Sequence, residues 1–215
     1  METYSQFGQD KFLDTHVFKN FRDGTYVDVG AYDGIKFSNT YLFAKQYGWH
    51  GINIEPNSII FADLQKNRPD SINMQIAIDV EDNKHKDFML NTGYSKMLSG
   101  LKEYYDSKHI ARLNKEQKQY GGLTTIVPVT TRRLDSLLLE NNISHIHLLS
   151  IDVEGAEESV IKSIDFDKVF IDVIIFENNY DNAENIKYYL RNKGYIVFKK
   201  AGDIYMIHKK SQFMN

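Results

Sequence analysis

Apolar positions along the chain switch repeatedly between a period of two and a period of three to four, the signature of strands alternating with helices. The stretch TYVDV at 25–29 is β-branched and aromatic, and runs into GAYDG at 30–34, the pattern of a strand entering a tight turn. Beyond it Phe37, Tyr41, Ala44 and Tyr47 recur at helical spacing, with Ser38 or Asn39 able to cap the helix and Gly48 to end it. The unit then repeats. GINIE at 51–55 reads as a second strand broken by Pro56, and Ile60, Phe61 and Leu64 mark the helix after it. Residues 74–78 predict a third strand, and 86–90 a further short extended piece.

Residues 101–122 are charged, aromatic and loosely periodic, ending at Gly121 and Gly122. They predict an insertion with helix content over one end of the sheet; a solvated excursion and a substrate lid both fit. Leu134, Leu137 and Leu138 then mark a helix within 132–140 that leads into HLLSID at 147–152, an apolar run expected of a central parallel strand. A helix within 153–164, a strand over 169–176 closed by Glu177 and Asn178, and a helix carrying Ile186, Tyr189 and Leu190 follow. The strands expected at 195–198 and 204–208 meet at Gly202 and Asp203, which predicts a closing antiparallel hairpin. The sum is about seven strands in one domain spanning 1–215, with an N-terminal segment over 1–24.

Composition narrows the function classes. With 42% hydrophobic and 26% charged residues the chain is a compact soluble type rather than a disordered one. A formal net charge of -3 gives no general field for a phosphate backbone, so nucleic acid is disfavoured as a bulk partner. The absence of cysteine removes disulfides, thiolate metal sites and thiol nucleophiles together and fits a reducing compartment. The opening METYSQFGQDKFLD has neither the basic segment nor the apolar core of a signal, and no stretch reaches the length of a membrane span. A cytoplasmic protein is expected.

In an open parallel sheet, ligands bind beyond the carboxyl ends of the strands. Asp28 to Gly34, Glu55, Asp79, Asp152, Glu154 and Glu177 all fall at such ends. Gly30 lets the backbone approach a ligand, Asp33 and Gly34 make the turn, and Glu55 is placed to accept both hydroxyls of an adenosine ribose. A dinucleotide would need a G-x-G-x-x-G loop open to phosphate. Here Tyr32 and Asp33 crowd that loop and make it negative, which suits a cofactor carrying a sulfonium and an α-amino group. Asp28 could meet that amino group or simply cap the turn. Asp152, Glu154 and Glu177 are the candidate catalytic carboxylates, with a direct base and a carboxylate-held Mg²⁺ on Asp152, Glu177 and Asn178 both open. His147 begins its strand and is expected at the far end of the sheet.

These stretches together resemble the FkbM-type family of class I S-adenosylmethionine-dependent methyltransferases. The resemblance lies in YSQFGQD at 4–10, YVDVGAYDG at 26–34 with SNT at 38–40, and GWHGINIEPN at 48–57. It continues through NRP at 67–69, LSIDVEGAE at 149–157 and FEN at 176–178. It implies a Rossmann-like α/β fold, a seven-stranded mostly parallel sheet with a C-terminal antiparallel hairpin and helices on both faces, and the 4–10 segment packed near the cofactor cleft. The residues expected at S-adenosylmethionine are Gln9, Asp28, Gly30, Asp33, Gly34, Asn39, Glu55, Pro56, Asp79 and Asp152. O-methylation of a sugar, glycolipid or small metabolite is the implied activity. Asn53 departs from the family pattern in the second strand, and 101–122 is not closely covered. Two other readings remain: an RNA methyltransferase using the lysines between Lys108 and Lys118, diluted by Glu103, Asp106 and Glu116, and a cofactor-binding protein whose chemistry has lapsed.

Overall fold

The structure, a computed structural model, describes residues 2–178 and 183–214. In chain order its strands are β1 (Thr25–Val29), β2 (His50–Ile54), β3 (Ile72–Met74), β4 (Ala77–Ile78), β5 (Lys84–Asn91), β6 (Gly100–Leu101), β7 (Thr124–Arg132), β8 (His145–Ile151), β9 (Phe170–Glu177), β10 (Tyr195–Ala201) and β11 (Asp203–His208). The helices are α1 (Gln9–Leu13), α2 (Tyr41–Tyr47), α3 (Ser58–Asn67), α4 (Ser107–Tyr120), α5 (Leu134–Glu140), α6 (Glu157–Lys162) and α7 (Ala183–Asn192). Seven strands form one sheet in the order β10-β11-β9-β8-β1-β2-β3. Pairing from β3 through β9 is parallel, and β11 is antiparallel to both β9 and β10. The Rossmann-like sheet with its C-terminal hairpin is therefore as the sequence implies.

Both faces of this sheet are covered, which is why β8 and β9 read as nearly unbroken apolar runs. Successive residues point to opposite sides. Leu149 and Ile174 pack with Leu138, Val160, Ile161, Ile186 and Leu190 of α5, α6 and α7. Leu148 and Val173 pack with Leu13, Phe43 and Trp49 beside α1 and α2. Local capping sets the helix ends. Ser38 Oγ accepts from Tyr41 N at 3.1 Å, Gly48 closes α2 at φ 70°, and Asn57 Oδ1 accepts from Ile59 N at 3.0 Å to start α3.

A second, four-stranded sheet, β4-β7-β5-β6, departs from the expected seven strands. The single strand expected at 74–78 splits: β3 stays in the main sheet, while β4 crosses to pair with the end of β7. The extended stretch containing β7 carries no clean alternation and holds Pro128, which argues against a central strand. Pro128 is tolerated because β4 meets β7 only at Thr131 and Arg132, leaving the other side of β7 unpaired at the proline. The predicted insertion over 101–122 becomes β6, a short 3₁₀ turn and α4.

Candidate functional site

The order of strands reverses at β1, which lies between β2 and β8. Beyond its carboxyl end opens a cleft of about 920 Å³, mouth included. The backbone there is closely knit: Ile54 O accepts from Gly30 N at 2.9 Å and Ala31 N at 3.0 Å, and Asp152 N donates to Val29 O at 2.9 Å. Gly30 has φ +85°, and a β-carbon on it would lie 1.8 Å from Asp152 O. The glycine is thus required by the approach of the two strand exits, in addition to any ligand.

Of the residues expected at the cofactor, Asp28, Gly30, Asn39, Glu55, Pro56 and Asp152 line this cleft, together with Glu154. The aliphatic wall is Ile54, Ile60, Ile76 and Ile78. The opposite wall comes from the second sheet and the 3₁₀ turn between its β5 and β6, through Phe88, Leu101, Lys96 and Met97. These four are absent from the sequence-based set.

Glu55 is buried, and its two oxygens accept from Asn57 N at 2.8 Å and Tyr32 N at 3.0 Å. Burial, with the charge of Asp28 adding, pushes its carboxyl up to about 7. Asp28 is held from below by Thr40 Oγ1 at 2.8 Å and Ser38 Oγ at 3.3 Å, and burial raises its pKa too. It braces the turn that the cleft sits on. Asn39 bridges the two halves of the site, its Nδ2 donating to Ser150 Oγ at 3.1 Å, while its buried Oδ1 has no hydrogen-bond partner among the described residues. An open acceptor at that point fits a ligand with an ammonium group.

Four expected residues lie elsewhere than in this cleft. Asp33 Oδ1 accepts from Ile35 N at 2.9 Å and Lys36 N at 2.7 Å, so it stabilises the turn. Gly34 packs under Arg68, whose Nη1 donates to Gly34 O at 2.9 Å. Asp79 is fully buried and joins the second sheet to α6: it takes Tyr104 Oη at 2.9 Å and Val80 N at 2.7 Å, and is bonded by Lys86 Nζ and Ser159 Oγ. Gln9 donates to Asp203 Oδ2 at 2.8 Å and faces a neighbouring cleft instead.

That second cleft, about 410 Å³, is lined by Gln6, Gln9, Glu177 and Asp203 and shares Phe37, Asn39, Met97 and Asp152 with the first. Asp152, Glu154 and Glu177 each bring a carboxylate oxygen within 4.8 Å of the others. Asn178 at the strand end is exposed, and Glu154 stands with the two expected carboxylates in its place. Asp152 is exposed, but its accessible surface opens onto the two clefts, so its charge still suffers desolvation. That desolvation and the charges of Glu177, Glu154 and Glu157 hold it well above the usual carboxylate range. Burial, then Glu154, Glu157 and Asp203, push Glu177 up to about 8, with Arg112 opposing. His109 of α4, missed in the sequence, lies with Nδ1 3.5 Å from Glu154 Oε2, and burial lowers its pKa. Its only sequence signal is its i, i+4 spacing with Leu113 on the buried side of α4.

The raised Glu177 makes stability pH-dependent. Between 4.5 and about 8 the folded state keeps a proton that the unfolded chain releases, so stability is full at the acid side and falls as pH rises through that window. Thermal unfolding across this range should show the fall, and Glu177→Gln should flatten it and leave the variant the more stable protein above its upper limit. An unchanged slope in the variant would remove Glu177 from the cluster's titration.

Three non-glycine residues on the first cleft, Tyr32 (φ 50°), Phe37 (φ 62°) and Glu154 (φ 55°), adopt the left-handed conformation. Each costs on the order of 1–3 kcal/mol unless its surroundings enforce it, a concentration expected where side chains are held for a ligand. At the opposite rim, as expected, lies His147, whose Nδ1 accepts from Thr25 N at 2.9 Å beside His145 and Asp172.

A parallel sheet with an antiparallel closing hairpin, opening its cleft at the strand reversal with an acidic residue ending β2, is the architecture of the Rossmann-like methyltransferases. Residues 28–197 match the methyltransferase FkbM domain, and the chain belongs to this family of S-adenosylmethionine-dependent enzymes. Among solved structures it is similar to the methyltransferase FkbM from Methylobacillus flagellatus KT, with 12% identity and a TM-score of 0.52 over 87% of this chain and 44% of that one. The chain thus spans less than half the length of that protein. A TehB-like SAM-dependent methyltransferase from Corynebacterium glutamicum shows 10% identity and a TM-score of 0.46 over 96% and 89% of the two chains. Comparison with curated proteins gives no match. Among the described residues no helix is long and apolar enough to cross a membrane.

Proposed function

We propose that the chain transfers the methyl group of S-adenosylmethionine to a hydroxyl of a small acceptor, namely a sugar, glycolipid or small metabolite. The observation that carries this reading is the meeting of the two clefts at Asp152, Asn39, Phe37 and Met97. The larger cleft offers Glu55 to a ribose and an aliphatic-aromatic slot to a purine. The smaller offers carboxylates and amides, groups that hydrogen-bond a polyhydroxylated acceptor. When bound, the cofactor supplies an electrophilic methyl on a sulfonium, and the protein's work is alignment and removal of the acceptor proton. Asn39 Oδ1 and Asp152 are placed to hold the amino end of the cofactor. Asp152 and Glu177 carry raised pKa values, which makes each a stronger base than an ordinary carboxylate once ionised.

Asp152, Glu154 and Glu177 are also a suitable hard-oxygen set for Mg²⁺, which would lower the pKa of an acceptor hydroxyl. Titration calorimetry with S-adenosylmethionine, followed by transfer of a labelled methyl into sugar and metabolite pools with and without a chelator, tests the whole reading. Binding with labelled hydroxylated product is expected. Zero affinity overturns it; binding without any product reduces the chain to a cofactor-binding protein. Product in RNA rather than in small acceptors favours the alternative enzyme. Loss of activity with chelator assigns the carboxylates to the metal.

A further inference from the structure

The methyl-transfer reading leaves one corner of the molecule unused. A 3₁₀ helix over Gly93–Leu98 sends Lys96 and Met97 to the cofactor cleft, while Tyr94 at its beginning faces away from it. The ring of Tyr94 lies against that of Tyr120, the last residue of α4, with centroids 4.3 Å apart and the planes tilted by 34°. After Gly121 and Gly122, both at positive φ, Leu123 is tied back to the first loop: its N donates to Thr92 Oγ1 at 3.0 Å and its O accepts from Thr92 N at 2.9 Å. The two loops make one braced tip. Its side chains nevertheless stand in water, Leu123 being 73% exposed, Tyr94 61% and Tyr120 53%. Grouped exposure of this kind is unfavourable for an isolated domain and marks a contact surface.

The charge around the tip is predominantly positive. In α4 the buried side is His109 and Leu113, and Lys108, Arg112, Lys115 and Lys118 recur at i, i+4, i+7 and i+10 on the opposite, exposed side. The one acidic residue of the helix, Glu116, pairs with Arg112 at 3.0 Å. The chain as a whole carries -3, so this positive field is local.

We propose that this tip docks on an anionic lipid bilayer, with Leu123, Tyr94 and Tyr120 entering the interfacial layer and Lys115 and Lys118 meeting the headgroups. Tyrosine is suited to that boundary, since its ring is apolar and its hydroxyl stays hydrated. An exposed aliphatic Leu123 gains from a hydrocarbon boundary and nothing from a phosphate backbone. A long polyanion would also meet the negative remainder of the chain. Two short loops presenting three exposed side chains enter a fluid interface more readily than they bury area on a rigid partner. Docking does not depend on the methyl-transfer reading. Its consequence, that the acceptor is carried on a lipid, rests on that reading, because the same 3₁₀ helix joins the tip to the cleft.

The test is co-sedimentation with phosphatidylcholine vesicles with and without phosphatidylserine, across a salt series. The full chain is expected to bind only the anionic vesicles and to release as salt rises. Lys115→Glu with Lys118→Glu should weaken binding on the order of tenfold to thirtyfold. Tyr94→Ser with Leu123→Ser should weaken it without changing the salt slope. Both pairs are exposed, and unchanged thermal unfolding and S-adenosylmethionine affinity keep their effects separate from folding and from the cofactor reading. Equal binding to both vesicle types, no binding at all, indifference to both variant pairs, or retention on RNA but not on vesicles would each overturn the proposal.

Discussion

Asp152→Asn should lower the turnover number by about 10²–10⁴-fold, the range for loss of a positioned proton acceptor, while cofactor affinity changes far less. The side chain sits where the two clefts join, so it is the carboxylate that can face both the transferred group and the acceptor hydroxyl. Asparagine keeps its size, and its Oδ1 can still accept from the cofactor's ammonium beside Asn39 Oδ1, but it cannot take up a proton. Relief of repulsion with Glu177, Glu154 and Glu157 should make the variant at least as stable as the parent, so lost activity will not reflect misfolding. Single-turnover methyl transfer at saturating cofactor reads the effect directly. Near-normal turnover would move proton removal to Glu177 or to the acceptor's own acidity.

The other large effect is expected at Glu55. Glu55→Ala should cost about 1–3 kcal/mol of cofactor affinity through loss of charge-assisted hydrogen bonds to the ribose. It also leaves Tyr32 N and Asn57 N without their acceptors, so the melting temperature should fall with the affinity. Glu55→Gln preserves one acceptor oxygen and separates the two effects. Because burial pushes the Glu55 carboxyl up to about 7, the parent's affinity should weaken as pH falls through that value and the carboxylate becomes neutral. Calorimetry of the parent and the Gln variant over this range gives the answer: a pH-dependent parent beside a flat variant supports the ribose role, and identical profiles dismiss it.

The central parallel strands β1, β2, β8 and β9 were legible because each is buried on both faces and bounded by a turn residue. Gly30, Gly48 and Pro56 end elements in the structure close to where the sequence places them. The second sheet was legible only in part: the extended piece expected at 86–90 lies within β5, but its partner β7 and the sheet they form were not foreseen. β5 mixes Lys86 and Asp87 with Phe88, and β7 carries Pro128, so neither shows the period that a half-buried strand should. Their pairing is decided by contacts across some forty residues rather than by local pattern.

The same limit governs the site. Asp79 ends its strand like Glu55, yet Lys86, Tyr104 and Ser159 converge on it from distant segments and engage it fully. Asp203 reads locally as a hairpin turn residue. Only the antiparallel pairing of β11 with β9 sets it opposite Glu177 and brings it into the acidic group.

The smaller sheet is one uninterrupted run of chain, from Ala77 to Arg132. Because β4 and β7 run side by side there, with Asp79 N bonded to Arg132 O at 2.9 Å, the run departs from and returns to the main body at adjoining points. Such an arrangement is topologically a cassette. It can be lengthened, shortened or exchanged between relatives while the donor half of the cleft, built from β1, β2 and β8, keeps its connections. Chimeras that swap this run should therefore inherit the recipient's choice of methyl donor and the cassette's choice of environment.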